Sequence, residues 1–504
     1  MPALPLAMFN HPFTGIKNMT RHIEKTGIKI QDNVCIRLII KEVFRLKEAH
    51  MPSISRRSFI ATGAAGMTLA FAGCSPGAAT GSQETPSSNV AATQLIVVEG
   101  FDWGPNVTKT VIDFGNEIDP ETISAAAFTV SDRRQDYVDD PDAADGVGIV
   151  EHDRTVSDAY PSDEKGNKVE EGSRYVTLDM TVGPSDGNCQ IWLDSKSMNF
   201  WSDPYELNIA LSDDAALAFA DGTPVETLEV STEGLIDSMY CPVMDLFTSE
   251  SFEASDGTAL TYASFEPEAD DLKHPLVIWL HGAGGGGTDV RMAGYDTKCT
   301  SLVQNDFQES MGGAYILIPQ CNGFWLQYEG MGDADVLDNP GTDSIWKPAV
   351  LELIDTYVEE HPDIDPGRIL VGGCSNGGYL TLDLVFERPD YFAAAFPISE
   401  AYRDSGISDE MIESIKDLPM WFVYTHADIV VDPTVYEDPT IERLNSVGAS
   451  DLHVSVYDDA TILDGEFAGY TFEQGHEAWI YFFNDQCTDE DGLDMWDWLA
   501  STAK

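Results

Sequence analysis

The reactive part of this sequence centres on Ser375. It sits in Gly373-Cys374-Ser375-Asn376-Gly377, after the apolar run Ile369–Val371 and before a helical pattern carrying Leu380, Leu382, Leu384, Val385 and Phe386. Strand, sharp turn and helix around Gly-x-Ser-x-Gly place a serine hydroxyl at an exposed, strained corner. The flanking glycines leave room where a Cβ would collide with the neighbouring strand and helix. The helix that follows aims its N-terminal amides at the reacting centre, where negative charge develops. The motif alone also fits an ordinary turn; the flanking elements are what favour a nucleophile.

A serine hydroxyl needs a base, and behind an elbow of this kind the chain order is nucleophile, acid, base. Three histidines follow Ser375: His426, His453 and His476. His453 lies in the alternating Leu452-His-Val-Ser-Val456, the pattern of a sheet-face residue, and His426 lies beside the best acid candidate. His476, in Glu473-Gln-Gly-His-Glu-Ala-Trp479, falls in a loop between the last strand and the closing helix and is the expected base. The expected acid is Asp428, just past the strand Met420–Tyr424, where it can fix the imidazole tautomer. Asp432 is the alternative, with turn initiation beside Pro433 as its ordinary role. An oxyanion needs backbone donors: the Asn376 amide, and an amide of Ala283 or Gly284 in His281-Gly-Ala-Gly-Gly-Gly-Gly287. Trp325 and Tyr328, after Pro319-Gln-Cys321, could wall an acyl or aryl pocket or could belong to the core. No metal and no cofactor is assigned.

Hydrophobic periodicity gives the strands and helices around these residues. From about Leu246 to Lys504 strands alternate with helices: Pro275–Leu280 and Ala314–Pro319 are nearly continuous apolar runs, as in a buried parallel sheet. A helix is expected over Ser344 to Glu360 and a closing helix over Met495 to Leu499. This gives an α/β domain over 246–504, a mostly parallel sheet with helices on both faces. Residues 93–238 instead show short strands at Leu95–Val98, Thr110–Phe114, Phe128–Val130, Tyr175–Met180, Gln190–Leu193 and Leu207–Leu211 between turn dipeptides, the pattern of an all-β sandwich.

Upstream, Ser55-Arg-Arg-Ser-Phe-Ile60 precedes a mild apolar run that ends Phe71-Ala-Gly-Cys74. Residues 51–74 resemble a twin-arginine export signal with a lipoprotein box, Cys74 taking the lipid; Phe71 departs from the leucine usual there. Met51 is then the expected start, 1–50 a mis-annotated or disordered extension, and 75–92, rich in Ser, Pro, Gly and Thr, a flexible tether. The expectation is an exported protein, extracellular or at the cell surface, that meets the membrane through its lipid only.

With 28 Lys and Arg against 86 Asp and Glu the net charge is −58. Such a surface repels nucleic acid and anionic headgroups and disfavours polyanionic substrates. Residues 275–480 resemble the α/β-hydrolase superfamily, in particular secreted esterases related to prolyl-oligopeptidase-like and depolymerase-like members. The carrying motifs are Leu280-His-Gly-Ala-Gly, Pro319-Gln-Cys, Gly373-Cys-Ser-Asn-Gly and Gly475-His-Glu-Ala-Trp. With the sandwich in front, the whole resembles esterases that carry an immunoglobulin-like N-terminal domain. The resemblance implies Ser375, Asp428 and His476 as a triad and a small-molecule or polymer-linked ester as substrate, short-chain acyl or aryl and feruloyl-type. The Thr425-His-Ala427 stretch before the acid departs from relatives. A peptidase using the same groups and a surface binding protein on a degenerate scaffold are the competing readings. Six cysteines beyond Cys35 and Cys74 allow fifteen pairings, and the family logic requires none.

Overall fold

The computed structural model describes residues 88–231, 234–329, 331 and 343–504. The expected extension, the export signal with Cys74 and most of the tether lie outside the described residues.

The N-terminal part is built from β1 (Asn89–Phe101), β2 (Gly104–Ile118), β3 (Phe128–Tyr137), β4 (Val147–Arg154), β5 (Val156–Ser162), β6 (Ser173–Met180), β7 (Gln190–Leu193), β8 (Met198–Trp201), β9 (Tyr205–Leu211), β10 (Thr227–Val230) and β11 (Met239–Tyr240). One sheet runs β10-β1-β2-β6-β5 with β11 also on β1, a second runs β4-β3-β9, and β7-β8 is a hairpin. Alternate residues of each sheet turn inward, Ile96, Val98, Ile112, Val176 and Leu178 from the first and Phe128, Val130, Leu207 and Ile209 from the second, into one core. That is the sandwich expected from period-2 patterning. Its first strand, Asn89–Phe101, is longer than the expected Leu95–Val98 and begins ahead of the expected domain boundary at 93. Buried Arg154 ties the two sheets: Nη1 donates to Asp132 Oδ2 of β3 at 3.3 Å, and Nη2 to the Val107 carbonyl of β2 at 2.9 Å.

The second part holds β12 (Thr248–Glu253), β13 (Ala259–Phe265), β14 (His274–Leu280), β15 (Tyr315–Gln320), β16 (Ile364–Cys374), β17 (Ala394–Ile398), β18 (Met420–Thr425) and β19 (Leu452–Tyr457). They form one sheet, β12-β13-β15-β14-β16-β17-β18-β19. β12 and β13 pair antiparallel, as does β13 with β15, and the rest are parallel. The helices are α1 (Leu235–Ser238), α2 (Val290–Tyr295), α3 (Asn305–Met311), α4 (Lys347–Glu360), α5 (Asn376–Glu387), α6 (Asp409–Ser414), α7 (Glu437–Val447), α8 (Trp479–Phe483) and α9 (Met495–Ser501).

Strand residues alternate between two cores. Val277, Trp279, Leu370, Phe396 and Trp421 face Phe307, Phe482 and Trp498. Leu276, Ile278, Ile369, Val371 and Phe422 face Val350, Leu353, Leu380 and Leu444. Both faces of the sheet are therefore covered, which is why its strands read as unbroken apolar runs. The sandwich is joined to this body by Trp201 Nε1 donating to Asp289 Oδ2 at 2.9 Å, by an ion pair from Lys298 to Asp102 at 3.1 Å, and by the Tyr295 hydroxyl on the Val98 carbonyl at 3.3 Å.

Candidate active site

β16 delivers Ser375 with φ 54° and ψ −117°, left-handed backbone that a residue with a Cβ rarely adopts. Its N–H donates to the Ile398 carbonyl at 2.8 Å, and its own carbonyl accepts from Tyr379 N–H at 3.0 Å and Ala401 N–H at 3.2 Å. The glycines are required by contact: a Cβ on Gly373 would sit 2.5 Å from the Leu280 carbonyl oxygen, and one on Gly377 only 1.9 Å from that same atom. Gly377→Ala is expected to cost more than about 3 kcal/mol, because backbone of β14 cannot yield as a side chain would. Urea denaturation followed by circular dichroism measures it; a loss under about 1 kcal/mol contradicts this packing.

Asp428 follows β18, and its position is over-determined. Oδ1 accepts the amides of Val430 and Val431, both at 2.8 Å, and Oδ2 lies 2.6 Å from His476 Nδ1. The two loops are packed backbone to backbone: Ile429 N–H donates to the Gln474 carbonyl at 3.1 Å, the Thr425 hydroxyl bonds the Gly475 carbonyl, and a Cβ on Gly475 would meet Ala427 backbone at 2.8 Å. The Ser399 hydroxyl donates to the His476 carbonyl at 2.9 Å. A single segment, Ile398–Ala401, thus holds the elbow through Ile398 and Ala401 and the histidine loop through Ser399. Ser375, Asp428 and His476 are 8, 5 and 7% exposed, so the group is drawn out of bulk water. Burial pulls the His476 pKa down, but the charge and hydrogen bond of Asp428 outweigh it and leave the imidazole above its ordinary 6.5.

Asn376 opens α5, so its amide has no intrahelical acceptor. Gly282 packs against the elbow, where a Cβ would lie 3.3 Å from Cys374 Sγ and 3.9 Å from Ser375 Cβ. Residues Ala283–Gly285 make a 3-10 turn in which Gly285 N–H bonds the Gly282 carbonyl and Gly286 N–H the Ala283 carbonyl. The amides of Ala283 and Gly284 have no backbone acceptor among the described residues. The Asn376 amide thus directly follows the serine, and the Ala283–Gly285 turn begins one residue after the Gly282 contact.

Trp325 requires a correction. It is fully buried; its indole N–H donates to the His281 carbonyl at 3.1 Å and its ring packs 4.7 Å from the imidazole of His281. It braces the turn that bears Ala283 and Gly284 instead of walling a pocket. Tyr328 is half-buried. His453 is held between Asp451 and Asp489 at 2.7 and 2.8 Å, and Asp432 Oδ1 accepts the Thr434 amide at 3.1 Å. Neither joins the site. Cys189, Cys241, Cys299, Cys321, Cys374 and Cys487 are buried free thiols.

Three features had no signal in the sequence. His281 is neutral, its pKa pulled to about 4 by burial, with Nδ1 2.6 Å from the Gly282 carbonyl. Asn376 Oδ1 accepts the Leu326 amide at 2.9 Å, fastening the Trp325 loop to the elbow. Asn199 reaches over from β8 of the sandwich, so that a Cβ on Gly284 would lie 2.3 Å from its Nδ2. Past the turn opens a cavity of about 490 Å³ between Leu260, Gly287, Asn322 and Trp346, with no ionisable side chain in its described lining.

Residues 94–226 match the family described as the esterase Ig-like N-terminal domain. Acylamino-acid-releasing enzyme 2 of Oryza sativa subsp. japonica is 27% identical over 177 residues, which are 34% of this chain and only 20% of that protein. Among solved structures, a thermostable esterase superposes with a TM-score of 0.63 at 23% identity, over 82% of this chain and 99% of its own. The chain has the α/β-hydrolase fold, preceded by an immunoglobulin-like sandwich of the kind that precedes esterases.

Proposed function

We propose that the protein is a serine hydrolase of carboxylic esters, with short-chain acyl or aryl and feruloyl-type esters as its substrates. The observation that carries this reading is the 2.6 Å contact between Asp428 and His476, on a loop pinned to the same segment as the strained Ser375. Asp428 accepts Nδ1–H, which leaves Nε2 without a proton and able to take one from the Ser375 hydroxyl. The serine oxygen attacks the ester carbonyl, and the oxyanion is met by the amides of Asn376 and of Ala283 or Gly284. The protonated imidazole then gives its proton to the leaving alcohol. Water, deprotonated by the same nitrogen, releases the acid and frees the serine. The acidic surface disfavours an anionic substrate.

A panel of p-nitrophenyl acetate, a feruloyl ester and an aminoacyl p-nitroanilide, given to the purified mature chain, tests the reading. Esters should be turned over at least about a hundredfold faster than the anilide. Comparable rates would favour the peptidase reading, for which the likeness to acylamino-acid-releasing enzyme 2 is the supporting observation.

The pH dependence has a definite sign. The working base is neutral imidazole, and its pKa is raised, so kcat/KM should climb with pH through a midpoint above 6.5. A midpoint below 6 would contradict the Asp428 contact.

Export and lipidation at Cys74 belong to the same proposal. Mass spectrometry of the chain from its native host should find a diacylated Cys74 at the N-terminus; a mature chain retaining residues before Met51 would contradict it.

A further inference from the structure

The Thr425-His-Ala427 stretch departs from the pattern of the family the sequence resembles, and the proposed chemistry gives Thr425 no task. Thr425 ends β18, and Ser399 directly follows β17, the neighbouring strand. Both residues are 0% exposed. A buried hydroxyl is normally bonded, and these two find their partners in one loop. The Thr425 hydroxyl bonds the Gly475 carbonyl, and the Ser399 hydroxyl donates to the His476 carbonyl at 2.9 Å. The carbonyl before them, that of Gln474, accepts from Ile429 N–H at 3.1 Å. Three consecutive carbonyls of the loop that carries the base are therefore held, one by the acid loop and two by strand ends. The first hold is made by backbone; the other two depend on which residues occupy positions 399 and 425.

The donors are themselves fixed. Ser399 N–H donates to the Val423 carbonyl of β18, and His426 N–H to the Tyr457 carbonyl of β19, both at 2.8 Å. The two hydroxyls thus hang from the edge of the sheet. Ser399 has φ 42°, left-handed backbone in which glycine is the less strained residue. The chain keeps a side chain there against that strain, and what the side chain supplies is the hydroxyl on the His476 carbonyl. On the other side, Gly475 has φ 62°, and Ala427 backbone lies 2.8 Å from where its Cβ would stand. Contact stops the base loop on the side of the acid loop, and the hydroxyls tie it to the sheet.

We propose that Ser399 and Thr425 form a two-hydroxyl latch that sets the aim of the His476 imidazole. Both are positioning residues, too deeply buried to touch substrate. Asp428 holds the ring at Nδ1; the latch holds the backbone from which the ring hangs. Together they restrict where Nε2 points. A general base works only within hydrogen-bond reach of the proton it takes, and a misplacement of about 1 Å costs on the order of a hundredfold in rate. Neither hydroxyl contributes to binding the ground state, so loosening the latch lowers kcat and leaves KM in place.

The experiment uses the full mature chain as wild type, Thr425→Val, Thr425→Ser and Ser399→Gly. Valine keeps the shape of threonine and lacks the hydroxyl; serine keeps the hydroxyl and lacks a methyl. Glycine removes the Ser399 hydroxyl and relieves the left-handed strain, so its thermal midpoint should stay within about 3 °C of the wild type. On p-nitrophenyl acetate, Thr425→Val and Ser399→Gly should each lose about tenfold or more in kcat with KM within about twofold, while Thr425→Ser keeps kcat within about threefold. The proton resonance of His476 Nδ1–H, moved far downfield by its short bond to the Asp428 carboxylate, gives a second readout. It should broaden or vanish in Thr425→Val and Ser399→Gly, as the loosened ring exchanges its proton with water, and persist in Thr425→Ser. A kcat within about twofold of wild type in both variants that lack a hydroxyl overturns the latch. A loss that Thr425→Ser shares in full also overturns it, because packing of the methyl would then be the cause. The kinetic arm rests on the serine-hydrolase reading and the resonance does not. A wild type inactive on every ester would sink that reading, and the latch would still be decided: lost resonances in both variants uphold it, and unchanged ones overturn it.

Discussion

Ser375→Ala is expected to lower kcat/KM on p-nitrophenyl acetate by about a millionfold, to within reach of the buffer rate. The size follows from what the side chain does. Without its oxygen no acyl-enzyme forms, and the base and the amides of Asn376 and the Ala283–Gly284 turn have no serine-derived oxyanion to act on. The substitution removes one oxygen from a residue that is 8% exposed and keeps the Ser375 backbone bonds to Ile398, Tyr379 and Ala401. Folding should therefore be unchanged, and the thermal midpoint should stay within about 2 °C. A variant that keeps a tenth of the activity would move the nucleophile elsewhere.

Asp428→Asn is expected to lower kcat by about 10⁴-fold, more than the loss of a charge near an imidazole would suggest. The cause lies in the two amides on the other side of the carboxyl. Val430 and Val431 N–H both donate to Oδ1, so an asparagine must turn its oxygen to them. Its NH₂ then faces His476 Nδ1. That nitrogen can only accept, the ring proton is driven to Nε2, and the atom that should receive the serine proton already carries one. Stopped-flow hydrolysis against Asp428→Ala distinguishes the cases: alanine forces no tautomer and should be no worse than asparagine. An alanine variant at least ten times slower than asparagine would contradict the tautomer argument.

Ser375 and Asp428 could be picked out as candidates because each stands just past a strand whose apolar run is unmistakable, and His476 because chain order left few histidines to choose from. The sandwich was visible where strands such as β3 and β9 bury alternate residues. β4, β5, β8 and β10 gave no signal, since much of their length faces water and their composition is that of loops. What sits behind the site was not legible at all. Trp325, which follows a strand end on the active-site side of the sheet, fitted a substrate wall and a core residue equally; its burial and its bond to the His281 carbonyl show that it faces inward. Asn199 and Gly284 are far apart in the chain, and no local pattern announces that strand β8 of the sandwich closes over the turn. Nothing along the chain announces that the hydroxyls of Ser399 and Thr425 reach one loop; their meeting is a property of the packed whole.

In the proposed chemistry Ser375 is activated by the imidazole that Asp428 holds. Labelling the folded chain with a fluorophosphonate and mapping the adduct by peptide mass spectrometry tests this most directly. One adduct is expected, on Ser375, formed rapidly in the wild type and slowed by roughly a thousandfold or more in His476→Ala. An adduct on another serine, or equal labelling rates in wild type and His476→Ala, would contradict it.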